Sequence, residues 1–175
     1  MGHLLQLVPL SQFPSGLQIP GGDLLAYGTK SWGVQAAVGD IDGDGKLEVV
    51  FGTYFNDEHV YAVNAEDGTV LWKFRSQGGP IDTSVLLFDV NRDGKLEVIF
   101  GDSARGTLFC LDGEGKEVWT FKGQSGTDSP AAAADLDGDG TIEVVYGTMK
   151  TRDGKGRVNV IEGKTGKPVW EAVVP

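Results

Sequence analysis

The sequence predicts an all-β fold made of three four-stranded antiparallel blades of a β-propeller. An acidic loop motif recurs with spacings of 49 and 46 residues, and a tryptophan follows each copy with spacings of 47 and 51 residues. No stretch shows helical periodicity of useful length. Repeats of about 40–50 residues with four strands are typical of propeller blades, whereas β-solenoid repeats are usually shorter. The loops begin at Asp40, Asp89 and Asp135, and the tryptophans are Trp72, Trp119 and Trp170.

Composition limits the classes of function. The chain has 175 residues, is 40% hydrophobic and carries a formal net charge of −10. It is long enough for one packed domain or one block of a repeat array. The acidic charge argues against binding to nucleic acid, which requires a basic face, and against an anionic membrane surface. No apolar run approaches the length of a transmembrane helix, so we expect no membrane insertion.

The first 30 residues form the least regular part of the sequence, because prolines and a Gly-Gly pair interrupt it. The stretch 24–27 stands where the fourth strand of a preceding blade would lie. The N-terminus lacks a charged region and a cleavage site, so we expect no signal peptide. The single cysteine, Cys110, lies in an apolar run and predicts a buried strand thiol, since no His or Asp constellation adjoins it.

Each repeat unit reads as four short strands, with the acidic loop between the first two and the tryptophan in the fourth. Tight turns rich in glycine join the third and fourth strands. We place the blades at 31–75, 76–122 and 123–175. The predicted strands are 34–38, 47–52, 59–63 and 69–74, then 84–88, 96–101, 107–111 and 117–121, then 131–134, 142–147, 157–161 and 168–173.

The acidic loops carry the clearest chemical signal. Each has acidic or amide side chains at positions 1, 3 and 5, glycine at position 6 and glutamate at position 9. Alternating oxygen ligands around a tight turn suit a hard cation such as Ca²⁺. One copy would also suit a solvated turn, but three matching copies favour a cation. An EF-hand is excluded, because its position 12 is a glutamate; here that position is Phe51, Phe100 or Tyr146.

The motif Asp-x-Asp-Gly-Asp-Gly-x-x-Glu followed by Val-Val-Phe-Gly resembles the FG-GAP or VCBS repeat of integrin α-subunit propellers and bacterial surface proteins. Residues 60–72 also resemble a PQQ-type propeller repeat. The first resemblance implies up to three bound calcium ions, with a backbone carbonyl ligand at position 7. In the second loop Asn91 replaces an aspartate, which predicts a weaker site. The implied ligands are Asp40, Asp42, Asp44, Lys46 and Glu48; Asp89, Asn91, Asp93, Lys95 and Glu97; and Asp135, Asp137, Asp139, Thr141 and Glu143.

The resemblance implies a calcium-stabilised, non-catalytic module for adhesion or binding that is extracellular, at the cell surface or periplasmic. Its partner would be a protein or a carbohydrate. The alternative is the propeller portion of an enzyme, either a PQQ-dependent dehydrogenase or a polysaccharide lyase. Three blades do not close a propeller, which has about four to eight. We therefore expect either part of a longer propeller or copies that associate into a ring.

A second candidate site lies where consecutive blades begin. Asp82 with Thr83 and Asp128 with Ser129 occupy matching positions in the second and third units. An aspartate beside a hydroxyl can bind a sugar or a second ion. The more common role of such a pair is to cap a turn at the entrance of a strand.

Overall fold

The computed structural model describes residues 36–53, 57–76, 79–81 and 83–174. The predicted N-terminal segment 1–30 and Asp82 lie outside these residues. The described part is all-β, and no helix within it could span a membrane. The strands are β1 (Ala37–Gly39), β2 (Glu48–Gly52), β3 (His59–Asn64), β4 (Val70–Arg75), β5 (Leu86–Phe88), β6 (Glu97–Gly101), β7 (Thr107–Leu111), β8 (Glu117–Lys122), β9 (Ala132–Ala134), β10 (Glu143–Thr148), β11 (Gly156–Glu162) and β12 (Pro168–Val174).

These strands form three antiparallel sheets of four, each in sequential order, which we call blades 1, 2 and 3. The predicted three-blade, all-β class is therefore confirmed. The first strands β1 and β5 lie beside each other, so blades 1 and 2 approach closely at their first strands. Each blade also has a β-bulge between its third and fourth strands, next to the tryptophan. The three blades therefore share the same backbone irregularity at the same position.

The core consists of side chains packed between neighbouring blades. Between blades 1 and 2, the rings of Phe100 and Phe109 stack with centroids 5.2 Å apart, and Phe74 meets both edge-on. Between blades 2 and 3, Cys110 is fully buried. Burial raises the pKa of its thiol well above the usual range. Cys110 therefore packs as a small apolar side chain rather than acting as a nucleophile.

The tryptophans of β4 and β8 attach each blade to the next. Trp72 Nε1 donates to the carbonyl of Gly113 at 2.8 Å, and Trp119 Nε1 donates to that of Gly163 at 2.7 Å. Both acceptors belong to the turn between the third and fourth strands of the following blade. Trp170, in the last strand, is 50% exposed. Among the described residues, the indole therefore links two blades only where another blade follows in the chain.

This arrangement predicts unequal effects of the same substitution. Trp119→Phe removes the indole donor and leaves the Gly163 carbonyl without its partner, so we expect a loss of about 1.5–3 kcal/mol in the free energy of unfolding. Trp170→Phe is the matched control, because an exposed substitution changes stability by only about 0.5 kcal/mol. Urea unfolding measures both values. Equal losses in the two variants would contradict the linking role.

The turn that receives the indole also meets the acidic loop of the preceding blade. A Cβ atom on Gly113 would lie 1.7 Å from the carbonyl oxygen of Ile41. At the matching place in blade 3, a Cβ on Gly163 would lie 3.1 Å from the carbonyl oxygen of Val90. Blade 1 has Ala65 at this position. Glycine therefore leaves room for the acidic loop of the preceding blade at both turns, and the contact is closest at Gly113.

The loops divide between two ends of the blades. The acidic loops share one end with the turns of third and fourth strands, as shown by the 2.9 Å ion pair between Lys46 and Glu66. At the other end, the loops after the second strands bond to the links between blades. There, the Met149 amide donates to the Gly126 carbonyl at 2.8 Å. The acidic loops thus lie away from the loops that vary most in length.

Candidate functional site

The acidic loops are shaped by their own carboxylates, which accept hydrogen bonds from backbone amides. In the first loop both oxygens of Asp40 accept, one from Gly43 N–H at 2.8 Å and the other from Gly45 N–H at 3.0 Å. Further along, Asp42 accepts from Asp44 N–H at 3.1 Å. These bonds turn the side chains of positions 1 and 3 toward the inside of the loop. The short polar side chains thereby fold a turn that exposes few unpaired amides.

The other two loops repeat this pattern. The position 6 amide donates to the position 1 carboxylate at 2.9 Å in the second loop and at 3.0 Å in the third. The position 7 amide donates to the position 5 carboxylate in all three loops, at 2.8, 2.9 and 2.6 Å. The donors of this last set are Lys46, Lys95 and Thr141, and the acceptors are Asp44, Asp93 and Asp139.

The glutamate at position 9 opens the second strand of each blade and is buried. Glu48 is fully buried; its Oε2 accepts from Ile41 N–H at 2.9 Å, and its Oε1 has no hydrogen-bond partner. A buried carboxylate oxygen without a partner is costly. Burial, together with the charges of Asp42, Asp44 and Asp40, raises the pKa of Glu48. The site therefore lacks positive charge, which a bound cation would supply.

Two of the three loops gather their carboxylates closely. Ligand oxygens of Asp40, Asp42 and Glu48 lie within 4.8 Å of one another. The same holds for Asp135, Asp137 and Glu143 in the third loop, where Glu143 Oε2 accepts from Leu136 N–H at 2.9 Å. Clustered carboxylates that surround a common point suit a hard divalent cation. The first and third loops therefore fit the ion that the sequence predicts.

The second loop is arranged differently at the same positions. Asn91 Nδ2 donates to Glu97 Oε1 at 2.7 Å. Arg92 stands where the other loops have glycine, with a φ of 61°, and its guanidinium lies 3.3 Å from Asp135 Oδ2 of the third loop. The importance of Arg92 was not predicted from the sequence. The available signal was a basic residue at a position that is glycine in both other loops.

The residues of the second predicted site have different surroundings in blade 2 and in blade 3. Thr83 is buried, and its hydroxyl both donates to the carbonyl of Gly101 and accepts from its amide, each at 3.0 Å. Asp128 and Ser129 are exposed at the entrance of blade 3. There it is Thr127 that donates to the carbonyl of Gly147, at 2.6 Å. The hydroxyl of Thr83 therefore serves strand pairing in this structure.

Comparison with known proteins shows both fold and family. BamB from Moraxella catarrhalis is 24% identical with a TM-score of 0.48, covering 77% of this chain and 35% of that one. A europium-containing methanol dehydrogenase is 17% identical with a TM-score of 0.54, covering 79% and 24%. The chain thus spans about a third and a quarter of these two structures. The second similarity supports the β-propeller fold alone.

No curated protein matches the sequence. The family model of the FG-GAP-like repeat matches residues 40–100 and 89–146. These two segments overlap and together cover more than half of the chain. Each begins at the first aspartate of an acidic loop and ends on the aromatic residue of a later second strand, so the match includes the motif described above. The chain therefore belongs to the family of FG-GAP-like repeat proteins.

Proposed function

We propose that this protein is a calcium-stabilised, non-catalytic β-propeller module that binds a partner outside the cytoplasm. The observation that carries the proposal is the buried Glu48, whose Oε1 lacks a partner and faces the same loop as Asp40 and Asp42. A divalent cation would satisfy that oxygen and offset the repulsion among the carboxylates. The proposal explains why so much acidic charge is held in so small a volume.

The proposed ion ligands combine the clustered carboxylates with the further ligands that the repeat motif implies. The amide bonds already aim the carboxylates of positions 1 and 3 inward, and the buried glutamate closes the site from the strand. The side chain of Lys46 pairs with Glu66 and is not a ligand, so position 7 would contribute its backbone carbonyl, as the repeat motif implies. When bound, calcium supplies positive charge and cross-links the loop. The proposed ligands are Asp40, Asp42, Asp44, Glu48 and the Lys46 carbonyl, and Asp135, Asp137, Asp139, Glu143 and the Thr141 carbonyl.

Calorimetric titration with calcium tests the proposal. We expect Glu48→Gln to weaken binding at the first loop at least about tenfold, because a neutral amide replaces a buried carboxylate ligand. Glu114→Gln is the matched control: its carboxylate is exposed, and it pairs with Lys116 rather than facing a loop. Unchanged binding by Glu48→Gln would contradict the assignment of this residue.

The proposed location and partner follow from the ion and from the shape of the blades. Extracellular calcium modules work at dissociation constants of about 10⁻⁴–10⁻³ M. We place the partner, a protein or a carbohydrate, at the end opposite the acidic loops, where loops on a rigid scaffold usually carry recognition. That end exposes Lys150, Arg152 and Lys155 in one loop. These cations stand out in an acidic chain and favour a partner with negative charge.

A catalytic role is the weaker proposal. Within the described residues, His59 is partly buried, and its Nδ1 lies 2.5 Å from the backbone carbonyl oxygen of Asp57. This nitrogen is also the one that lies nearest a carboxylate, that of Asp57. The backbone contact therefore engages the nitrogen that a carboxylate would otherwise orient for catalysis. Likeness to a methanol dehydrogenase at 17% identity reflects the fold alone. Reduction of a redox dye after addition of pyrroloquinoline quinone would overturn the non-catalytic proposal. We expect no such turnover.

We also propose that blade 3 packs against a further blade, from a longer chain or from a second copy. The last strand exposes Trp170, whose counterparts Trp72 and Trp119 pack between blades. Val169 and Val173 beside it add exposed apolar surface. Sedimentation measures the mass in solution and so shows whether copies associate. A strictly monomeric mass at high concentration would exclude association of copies and leave the longer chain.

A further inference from the structure

The second acidic loop differs from the other two at the atom that an ion would contact. In the first loop, Glu48 Oε1 is buried without a partner. In the second loop, the equivalent oxygen, Glu97 Oε1, accepts a 2.7 Å hydrogen bond from Asn91 Nδ2. The other oxygen, Oε2, accepts a hydrogen bond from the backbone amide of the position 2 residue in both loops, at 2.9 Å. At this glutamate the two loops therefore differ only at Oε1, the oxygen proposed to contact an ion in the first loop.

We infer that the second loop closes on its own amide group, so that the protein binds two calcium ions rather than three. This inference rests on the proposed function. Asn91 is committed at both ends of its side chain, because its Oδ1 also accepts from Asp93 N–H at 2.8 Å. Turning the amide to offer oxygen to an ion would break both bonds. The loop therefore has no free ligand at position 3.

The charges of the loops agree with this inference. The second loop holds three carboxylates and two cationic side chains, whereas the third holds four carboxylates and no cationic side chain. One of the two cations is Arg92, which adopts a backbone conformation that suits glycine. Its guanidinium lies 3.3 Å from Asp135 Oδ2. The two cationic side chains reduce the net negative charge of the second loop and so weaken its attraction for a free cation, although the Arg92 guanidinium itself reaches the third loop.

The stoichiometry of calcium binding, measured by equilibrium dialysis with metal analysis, tests this inference. We expect two ions per chain for the natural sequence. Asn91→Asp places a carboxylate against Glu97 and should raise the number to three. The exchange in the first loop, Asp42→Asn, should lower the number to one, because its amide can bond Glu48 as Asn91 bonds Glu97. Circular dichroism checks that each variant is folded.

The possible results separate the two proposals. Three ions on the natural sequence would overturn the inference and leave the proposed function standing. No bound ion would overturn the proposed function, and this inference with it. Two ions on Asn91→Asp would show that Asn91 does not decide the occupancy of the second loop.

A stability measurement in chelator gives a second readout. Asn91→Ala should lower the melting temperature in chelator, because Glu97 Oε1 would lose its partner. Asp42→Ala should lower the melting temperature more in calcium than in chelator, because in chelator it loses only the hydrogen bond from Asp44 N–H. An Asn91→Ala variant that melts like the natural protein in chelator would contradict a self-closed second loop.

Discussion

Replacing Gly113 by alanine is expected to destabilise the protein more than any other single methyl group described here. The added carbon would lie 1.7 Å from the carbonyl oxygen of Ile41, and the obstacle is backbone rather than a flexible side chain. Overpacking a core costs about 1–3 kcal/mol when side chains can adjust. Here blade 2 must move away from blade 1, so we expect a loss of about 3 kcal/mol or more. Urea unfolding at equilibrium measures it.

Gly147→Ala is the control for that experiment. A Cβ atom on Gly147 would meet nothing closer than 3.8 Å, and its backbone needs no positive φ. We expect a change within about 0.5 kcal/mol, or a slight gain from reduced freedom of the unfolded chain. If both variants lost the same stability, the cause would be a general effect of removing glycine from a strand region. The contact between loop and turn would then not explain the result.

Removing calcium is the second change with a large expected effect. An ion that binds only the folded state at a concentration 100 times its dissociation constant adds about 2.7 kcal/mol. Two occupied loops therefore add about 5 kcal/mol. For a chain of this size, each kcal/mol shifts the melting temperature by about 2–4 °C, so chelation should lower it by about 10–20 °C. Differential scanning calorimetry in calcium and in chelator measures the shift.

The control replaces calcium by magnesium at the same concentration. Magnesium prefers a tighter octahedral site and gives up its water reluctantly, so it should restore much less stability than calcium. Melting curves that coincide in calcium and in chelator would contradict the structural role of the ion. Restoration by magnesium to the same degree would argue for simple screening of the acidic charge instead.

The sequence predicted the strands well because each strand is a short apolar run between strong turn signals. The prediction 96–101 became β6, Glu97–Gly101, which is buried throughout because blades cover both of its faces. The prediction 84–88 was too long, since β5 begins at Leu86. The reason is Thr83, whose hydroxyl takes both backbone groups of Gly101 and replaces a strand pair there.

The sites were less predictable, because ligand spacing does not determine which atom of a side chain faces inward. Asn91 offers an oxygen at position 3 and so predicts a weaker calcium site, yet its amide nitrogen meets Glu97. The hydrogen-bond partner of each indole could not be predicted from the sequence either. Trp119 reaches a carbonyl 44 residues later, in the turn of the next blade, and no local pattern encodes that distance. Such contacts depend on how the blades pack.

The contact between indole and turn gives the row of blades a direction. It joins two different surfaces, so a single such contact between two copies leaves one free surface of each kind. Repetition of such a contact leads either to a ring or to an open filament. Blade 1 presents Ala65 where blades 2 and 3 present glycine, so blade 3 of a second copy would press a loop carbonyl against that methyl group. The methyl group of Ala65 thus works against association of copies through this surface, and of the two proposed sources of a blade beside blade 3 it favours the longer chain.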